Sequence, residues 1–257
     1  MKGLSLTLQP PINASITLVA QWTEPLITST NVTPNDVAAA VDYVNANHGV
    51  FTLVIDTDVS AAPQVLNLGG VKLLIIGLGE PREIRLNTQG ILFIVGSNQQ
   101  KGVNLTLEKN ITFVGLTNGH HGAITNNNGH LVYVYLDGIF TMLEGAKVTG
   151  NTAHVSAVHI HEGIFVMQGG EIIENVSTGI GSSEVGGLRL GSNSSATLIG
   201  GRIARNNVIL GDLVVGSTAN LTLSGSAKIG TVAIASRPQD KCFHNNCFGM
   251  DKKRQCD

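Results

Sequence analysis

From residue 50 onward the chain alternates apolar and polar residues in short runs, "FTLVID", "LVYVY", "AVHIH", "ATLIG" and "LTLSG" among them, each closed by Gly, Asn, Asp or Ser. Alternation with a period of two is the signature of strands, and the punctuating turn residues make those strands short. The runs also repeat. Aligned on Met142, Met167, Leu198 and Leu223, the phrases "FTMLEGAKVTGN", "FVMQGGEIIEN", "ATLIGGRIARN" and "LTLSGSAKIG" recur in steps of 25, 31 and 25 residues, and the longer step holds the Gly/Ser-rich insertion 177–187. A second short run precedes each anchor. Upstream, "LFIVGSNQQKGVNLTLEKNITFVGL" has the same order of strand and turn in a degenerate form. Units of this size with period two are too short for a propeller blade and lack the helical arm of a leucine-rich repeat. They fit coils of a parallel β-helix, roughly eight between Thr33 and Gly230 at 25 residues each.

Stacked coils predict columns of equivalent residues. Met142, Met167, Leu198 and Leu223 form one inward apolar column; Val148, Ile172, Ile203 and Ile229 form another. The residues just before the second column, Lys147, Glu171, Arg202 and Lys228, face outward as a solvated row of alternating charge, and Glu174 sits over Arg205. Asn151, Asn175 and Asn206 share one offset at a corner. They are expected to form a structural asparagine ladder and to take the left-handed corner conformation that Asn tolerates. The matching position in the next unit is Val232, so the ladder is expected to stop at Asn206, and Asn175→Ala to cost more than Asn206→Ala.

One helical pattern interrupts the strands. In "TPNDVAAAVDYVNAN" (33–47) Val37, Val41 and Val44 share a face, Thr33 can serve as N-cap and Pro34 as the first helical residue. A β-helix has a raw apolar end, and this helix is assigned to cover it. The resulting organisation is a strand segment over 1–24, a linker over 25–32, an all-β solenoid over 33–236 with its capping helix at 33–47, and a Cys-containing polar tail over 237–257 that is expected to be disordered.

Composition narrows the class. Charged residues are 13% and the net charge is −2, with no basic run to track phosphates, so nucleic acid is excluded as a partner. Aromatics are only 4%, which makes the core aliphatic. No stretch of about 18 apolar residues exists to span a membrane, and the short alternating start, broken by Pro10 and Pro11, does not read as a signal peptide. Cys242, Cys247 and Cys256 all fall in the tail. Their C-x4-C-x8-C spacing, with His244, lacks the tight pairs of structural zinc sites, so neither metal nor cofactor is expected.

Candidate chemistry is sparse. Asp137 and Glu162 align at one corner, followed by Asn193 and Thr218; a stacked carboxylate pair could share a proton or a calcium ion, but the positions read better as solvated turns. No catalytic residue is assigned. His159 and His161 alternate on one strand and face outward with Tyr133 and Tyr135 below and Arg189 and Gly191 above. The His pair lacks a third metal ligand. The face Tyr133, Tyr135, His159, His161, Arg189 is the candidate ligand-binding surface, since rings stack on apolar faces and Arg forks to acids. His120 and His121 lie in a loop and carry no motif.

The phrases "GIFTMLEGAKVTGN", "GIFVMQGGEIIEN" and "LTLSGSAKIG" resemble the repeat of bacterial right-handed parallel β-helix surface proteins, whose members carry many "GGTFTMNGGTISGN"-like copies, often behind B-repeats. "SITLVAQWTE" (15–24) resembles the closing strand of an internalin-type B-repeat, whose first half is absent. The resemblance implies a right-handed solenoid and an extracellular or cell-surface protein, structural or adhesive, binding a glycan or protein, with no assigned reaction. The chain departs from the pattern in its start, its few perfect repeats and its Cys tail. Those departures keep open a fragment retained in the cytoplasm. Because parallel β-helices also host lyases and glycosidases, a polysaccharide-active enzyme, active or degenerate, is the alternative.

Overall fold

The structure, a computed structural model, describes residues 35–98, 100–179, 185–207 and 211–235. The strand at 15–24, Thr33, Pro34, His244 and the three cysteines lie outside these residues. Three seven-stranded sheets run side by side along the chain. The first takes Val50–Ile55, Lys72–Gly77, Asn104–Leu107, Ile139–Met142, Ile164–Met167, Ser195–Leu198 and Asn220–Leu223. The second takes Val59–Ala61, Arg82–Leu86, Ile111–Val114, Lys147–Thr149, Glu171–Ile173, Arg202–Ala204 and Lys228–Ile229. The third takes Gln64–Leu66, Phe93–Val95, Val132–Tyr135, Val158–His161, Leu188–Leu190, Leu213–Val215 and Val232–Ile234. Each turn of the chain contributes one strand to each sheet, and the ladders are parallel throughout, so the fold is a parallel β-helix.

Among the described residues there are seven coils, against the roughly eight expected over 33–230. First-sheet strands begin at residues 50, 72, 104, 139, 164, 195 and 220, so loops lengthen several coils beyond 25 residues, and the capping helix uses the first stretch of chain. The repeat registers are those of the alignment: Met142 pairs with Met167, Met167 with Leu198 and Leu198 with Leu223. Val148, Ile172 and Ile203 are buried in the second column. Aromatic residues stack in the same interior, Phe140 on Phe165 along the first sheet at 5.5 Å and Phe93 of the third sheet on Phe113 of the second at 5.2 Å between ring centroids. Burying each such side chain contributes about 1.5–3 kcal/mol, and because every rung rests on its neighbours the terms act together.

The two ends differ. The helix Val37–Ala46 packs Val37, Ala40, Val41 and Val44 onto the first coil. Its N-cap is Asp36, whose carboxylate accepts from Ala39 N at 3.0 Å, three residues later than the expected Thr33. Asn35 before it takes φ 61° and bonds to Asp56, which turns the chain into the helix. Asn45 donates to Val65 O and accepts from Asn67 N, closing the edge of the third sheet's first strand. At the far end Leu223 is 55% exposed and Ile234 77% exposed: the inward columns run out there with no further described coil above them. Among the described residues no helix is long and apolar enough to cross a membrane.

At the corner after the second sheet, Asn151, Asn175 and Asn206 are all buried and joined along the axis. Asn175 Oδ1 accepts from Asn151 N, and Asn206 Oδ1 accepts from both Asn175 N and Asn175 Nδ2. Two expectations are corrected. The run does not stop at Asn206, because Asp212 Oδ1 accepts from Asn206 N and Nδ2 while its other oxygen accepts from Thr231 N; below, Asn127 Nδ2 donates to Asn151 Oδ1. Nor do the asparagines take the left-handed conformation. That falls to the residue before each one, Gly150 (φ 69°), Glu174 (φ 58°) and Arg205 (φ 58°). The bend there turns the Asn side chain inward, where its amide satisfies corner carbonyls such as Val148 O and Ile172 O.

Outward, Glu171 pairs with Arg202 at 2.6 Å and lies 3.9 Å from Lys147, and Arg205 pairs with Glu174 at 2.8 Å. These half-exposed ions form the solvated row and contribute little individually.

Candidate functional site

The third sheet presents its outward face through alternation. In "VYVY" Val132 and Val134 are buried and the tyrosines face out; in "VHIH" Val158 and Ile160 are buried and the histidines face out. Parallel pairing sets His159 on Tyr133 and His161 on Tyr135, and the next rung sets Arg189 on His159. Below Tyr133 the same column holds Ile94 and Val65. The five residues singled out in the sequence therefore occupy one continuous patch.

The rings form a connected stack. Tyr135 and His161 lie 5.7 Å apart with planes 11° from parallel, and Tyr133 and Tyr135 lie 5.9 Å apart at 22°. His159 meets Tyr133 edge-on at 5.2 Å. A further ring, absent from the sequence-based set, extends the patch: His130 stacks on Tyr133 at 5.5 Å and lies 5.0 Å from His159. It precedes the strand in an irregular stretch, "NNNGHLVYVY", where alternation does not carry across. Only its nearness to the strand start could have suggested it.

Two of the patch's histidines, His130 and His159, are held neutral at neutral pH. Burial lowers the His130 pKa to about 4, with Arg189 and His154 adding repulsion and the bond to Ser156 O opposing. Because a carbonyl only accepts, the 2.6 Å contact to Ser156 O places the His130 proton on Nδ1. Burial also lowers His159 to about 2, helped by His130, Arg189 and His161. Its Nε2 is closed off from solvent with no hydrogen-bond partner among the described residues, against the Gly191 backbone, where a Cβ would come within 2.9 Å. Burial, then the neighbouring Tyr135, raises the Tyr133 phenol above its usual value, so it remains a donor. Arg189 supplies the fixed positive charge at one end.

The acid corner lies beside this patch. Asp137 and Glu162 both take the left-handed conformation (φ 57° and 55°), as does Asn193 (φ 52°), and Asp137 N donates to Glu162 O. Asn193 N donates to Thr218 Oγ1. The carboxylates face different partners, Asp137 reaching Lys101 at 3.0 Å and Glu162 lying 3.9 Å from His161. Asp137 and Glu162 thus serve as half-exposed corner residues, each with its own neighbour. His120 and His121 stand apart in an exposed loop. Among the described residues no three His, Cys, Asp or Glu side chains are placed to hold a metal ion.

Next to Tyr135 the surface sinks into an open hollow of about 540 Å³, lined by Asn67, Leu68, Ser97, Asn98, Gln100 and Tyr135. Its floor follows from the register. Val95 pairs with Val134, so Gly96 occupies the rung under Tyr135, and Leu66 pairs with Val95, which puts Asn67 under Gly96. Ser97 and Gln100 form an antiparallel bridge that folds the connecting turn into a wall. No match to this chain was found among protein-family models, curated proteins or solved structures.

Proposed function

We propose that this protein is a non-catalytic, cell-surface β-helix module of the bacterial type, and that its third-sheet ring patch binds a glycan. The observation that carries the reading is the connected set Tyr133, Tyr135 and His161 with His159 edge-on, held on rigid strands and left half-exposed, with the buried His130 backing Tyr133. Rings that close the core normally point inward; here Val132, Val134, Val158 and Ile160 already fill it. Outward rings with a tyrosine phenol and Arg189 at one end offer the apolar face and donors that sugars use. Binding is favoured over turnover because Asp137 and Glu162 turn to separate neighbours, Lys101 and His161, at their corners, and glycoside cleavage needs two carboxyls facing one bond.

The test is a glycan array read with the parent chain and with a Tyr133→Ala, Tyr135→Ala double variant, followed by product analysis of every bound polysaccharide. Binding lost in the double variant, with the sugar recovered intact, is the expected result. Shortened or unsaturated products would make the protein an enzyme. A protein captured through the same patch with no sugar bound would replace the glycan by a protein ligand.

A further inference from the structure

Resting on the glycan reading of the patch, we infer that the hollow beside Tyr135 is a subsite for one neutral pyranose unit, stacked on the Tyr135 ring and ringed by Asn67, Ser97, Asn98 and Gln100. The outward column through this part of the third sheet runs Asn67, Gly96, Tyr135, His161, Gly191. Tyr135 and His161 are near-parallel on adjacent rungs, so one face of the tyrosine is covered by histidine. The hollow opens beside Tyr135, whose side chain lines it together with Asn67, Ser97, Asn98 and Gln100. Strands repeat about every 4.8 Å, so Tyr135 and Asn67 stand two rungs, about 9.6 Å, apart. Stacked rings sit about 4.5–7 Å apart, and a sugar chair laid on Tyr135 comes within reach of Asn67.

The walls of the slot match the same ligand. Asn67 and Asn98 are exposed, and Gln100 has its Oε1 held by Gly69 N, which orients the amide toward the turn. Planar amides and a hydroxyl, Ser97, are the groups that pair with sugar hydroxyls. The residues that line the hollow carry no formal charge, which suits a neutral sugar better than an acidic one. The hollow's volume falls within the roughly 300–1,000 Å³ of small-ligand sites. Gly96 is buried beside it with φ 105°, and a Cβ there would collide with the Tyr135 carbonyl, so glycine lets these two rungs pack closely at the hollow's edge.

Lactose, cellotetraose and laminaritetraose serve as neutral probes and tri-galacturonate as the acidic one, measured by calorimetry and by saturation-transfer NMR on the full chain. At least one neutral probe should bind with its ring C–H protons saturated. Tyr135→Ala should weaken it about tenfold or more, Asn67→Ala with Asn98→Ala by about tenfold, and Tyr135→Phe by no more than about threefold. Circular-dichroism melts check that each variant keeps the fold. If Tyr133→Ala removes neutral binding while Tyr135→Ala does not, the patch binds sugar but the slot does not, and this inference falls while the glycan reading stands. Binding of tri-galacturonate alone has the same consequence, with Arg189 as its anchor. If none of the probes binds, the slot is overturned as a site, and the array result decides the broader reading separately.

Discussion

The asparagine column and the tyrosine–histidine patch are both built by stacking one residue position on the next coil, yet they end in opposite states. In the column, Asn175 is fully buried, and its side chain bonds to Asn151 N, Val148 O, Ile173 O and Asn206. In the patch the rings touch each other, but Tyr133, Tyr135, His159 and His161 stay half-exposed and the hollow beside Tyr135 is open. Repetition turned inward makes structure; repetition turned outward leaves surface chemistry unspent. Substitutions in the two regions should therefore fail differently, one set through stability and the other through binding.

The largest effect should come from breaking the interior that both regions share. Ile172 is buried between Val148 and Ile203 in the second sheet. Ile172→Asp places a carboxylate in a dry aliphatic column with no partner, and a loss of more than about 4 kcal/mol is expected, enough to unfold the array in one transition. A denaturant melt close to that of the parent would show that the rungs behave independently, and the comparison drawn above would lose its basis.

Within the column the structure reverses one order and sets another. Asn206 has partners on both sides, and truncating its side chain would strip Asp212 of its Nδ2 donor, Asn175 N and Nδ2 of their acceptor, and Ile172 O and Ala204 O of a donor. Asn206→Ala should cost at least as much as Asn175→Ala, each about 1–3 kcal/mol, and Asn151→Ala less, because the Asn151 side chain bonds only to Gly129 O and Asn127. Chemical melts of the three variants check the ranking, and equal, negligible losses would reduce the column to decoration.

Why this order was hidden from the sequence is instructive. The three asparagines share an offset from an inward Val or Ile, so the column's middle was legible from the repeat alone. Its ends were not. Asp212 follows Asn206 by six residues instead of one coil, and Asn127 sits in the long loop after Val114, so neither falls on the period. The inward columns, the outward charges and the pairing of His159 with Tyr133 were legible because alternation and a fixed step determine them. His130 and the walls of the hollow come from irregular turns, whose positions depend on backbone bonds such as Gly69 N to Gln100 that no spacing encodes. The helix start shifted for a local reason: Asn35 accepts the left-handed turn and leaves Asp36 as the cap.

Acid should separate the two regions next. His130 and His159 have folded-state pKa values near 4 and 2, below the usual 6.5 of the unfolded chain. Between those values the unfolded state binds more protons, so the stability these groups contribute is present above pH 6.5 and declines as the pH falls below it, His130 levelling off near 4. At pH 5.5 each histidine should lower stability by about 1 kcal/mol relative to pH 7.5, and His130→Gln should flatten that slope. The asparagines do not titrate, so Asn151→Ala should keep the parental slope. Melts at the two pH values compare the slopes directly, and an unchanged slope in His130→Gln would mean that its burial is not what opposes protonation.

The smallest effect isolates two neighbours in sequence that face opposite ways. Asn175 is fully buried, while Glu174, one residue earlier, has its side chain 58% exposed and its backbone in the left-handed region. Its Arg205 partner is as open to water at 56%, so the ion pair contributes about 0.2–1 kcal/mol. Holding a residue with a Cβ in that conformation costs about 1–2 kcal/mol locally, a strain that Gly150 avoids at the equivalent corner. Glu174→Gly exchanges the ion pair for relief of strain and adds some flexibility to the unfolded chain, which offsets part of the gain. The terms nearly cancel, and the melting midpoint should stay within about 0.5 kcal/mol of the parent, against the 1–3 kcal/mol of Asn175→Ala. A loss at Glu174 as large as that at Asn175 would mean that the corner is held from outside by charge, and that the buried column follows the bend instead of fixing it.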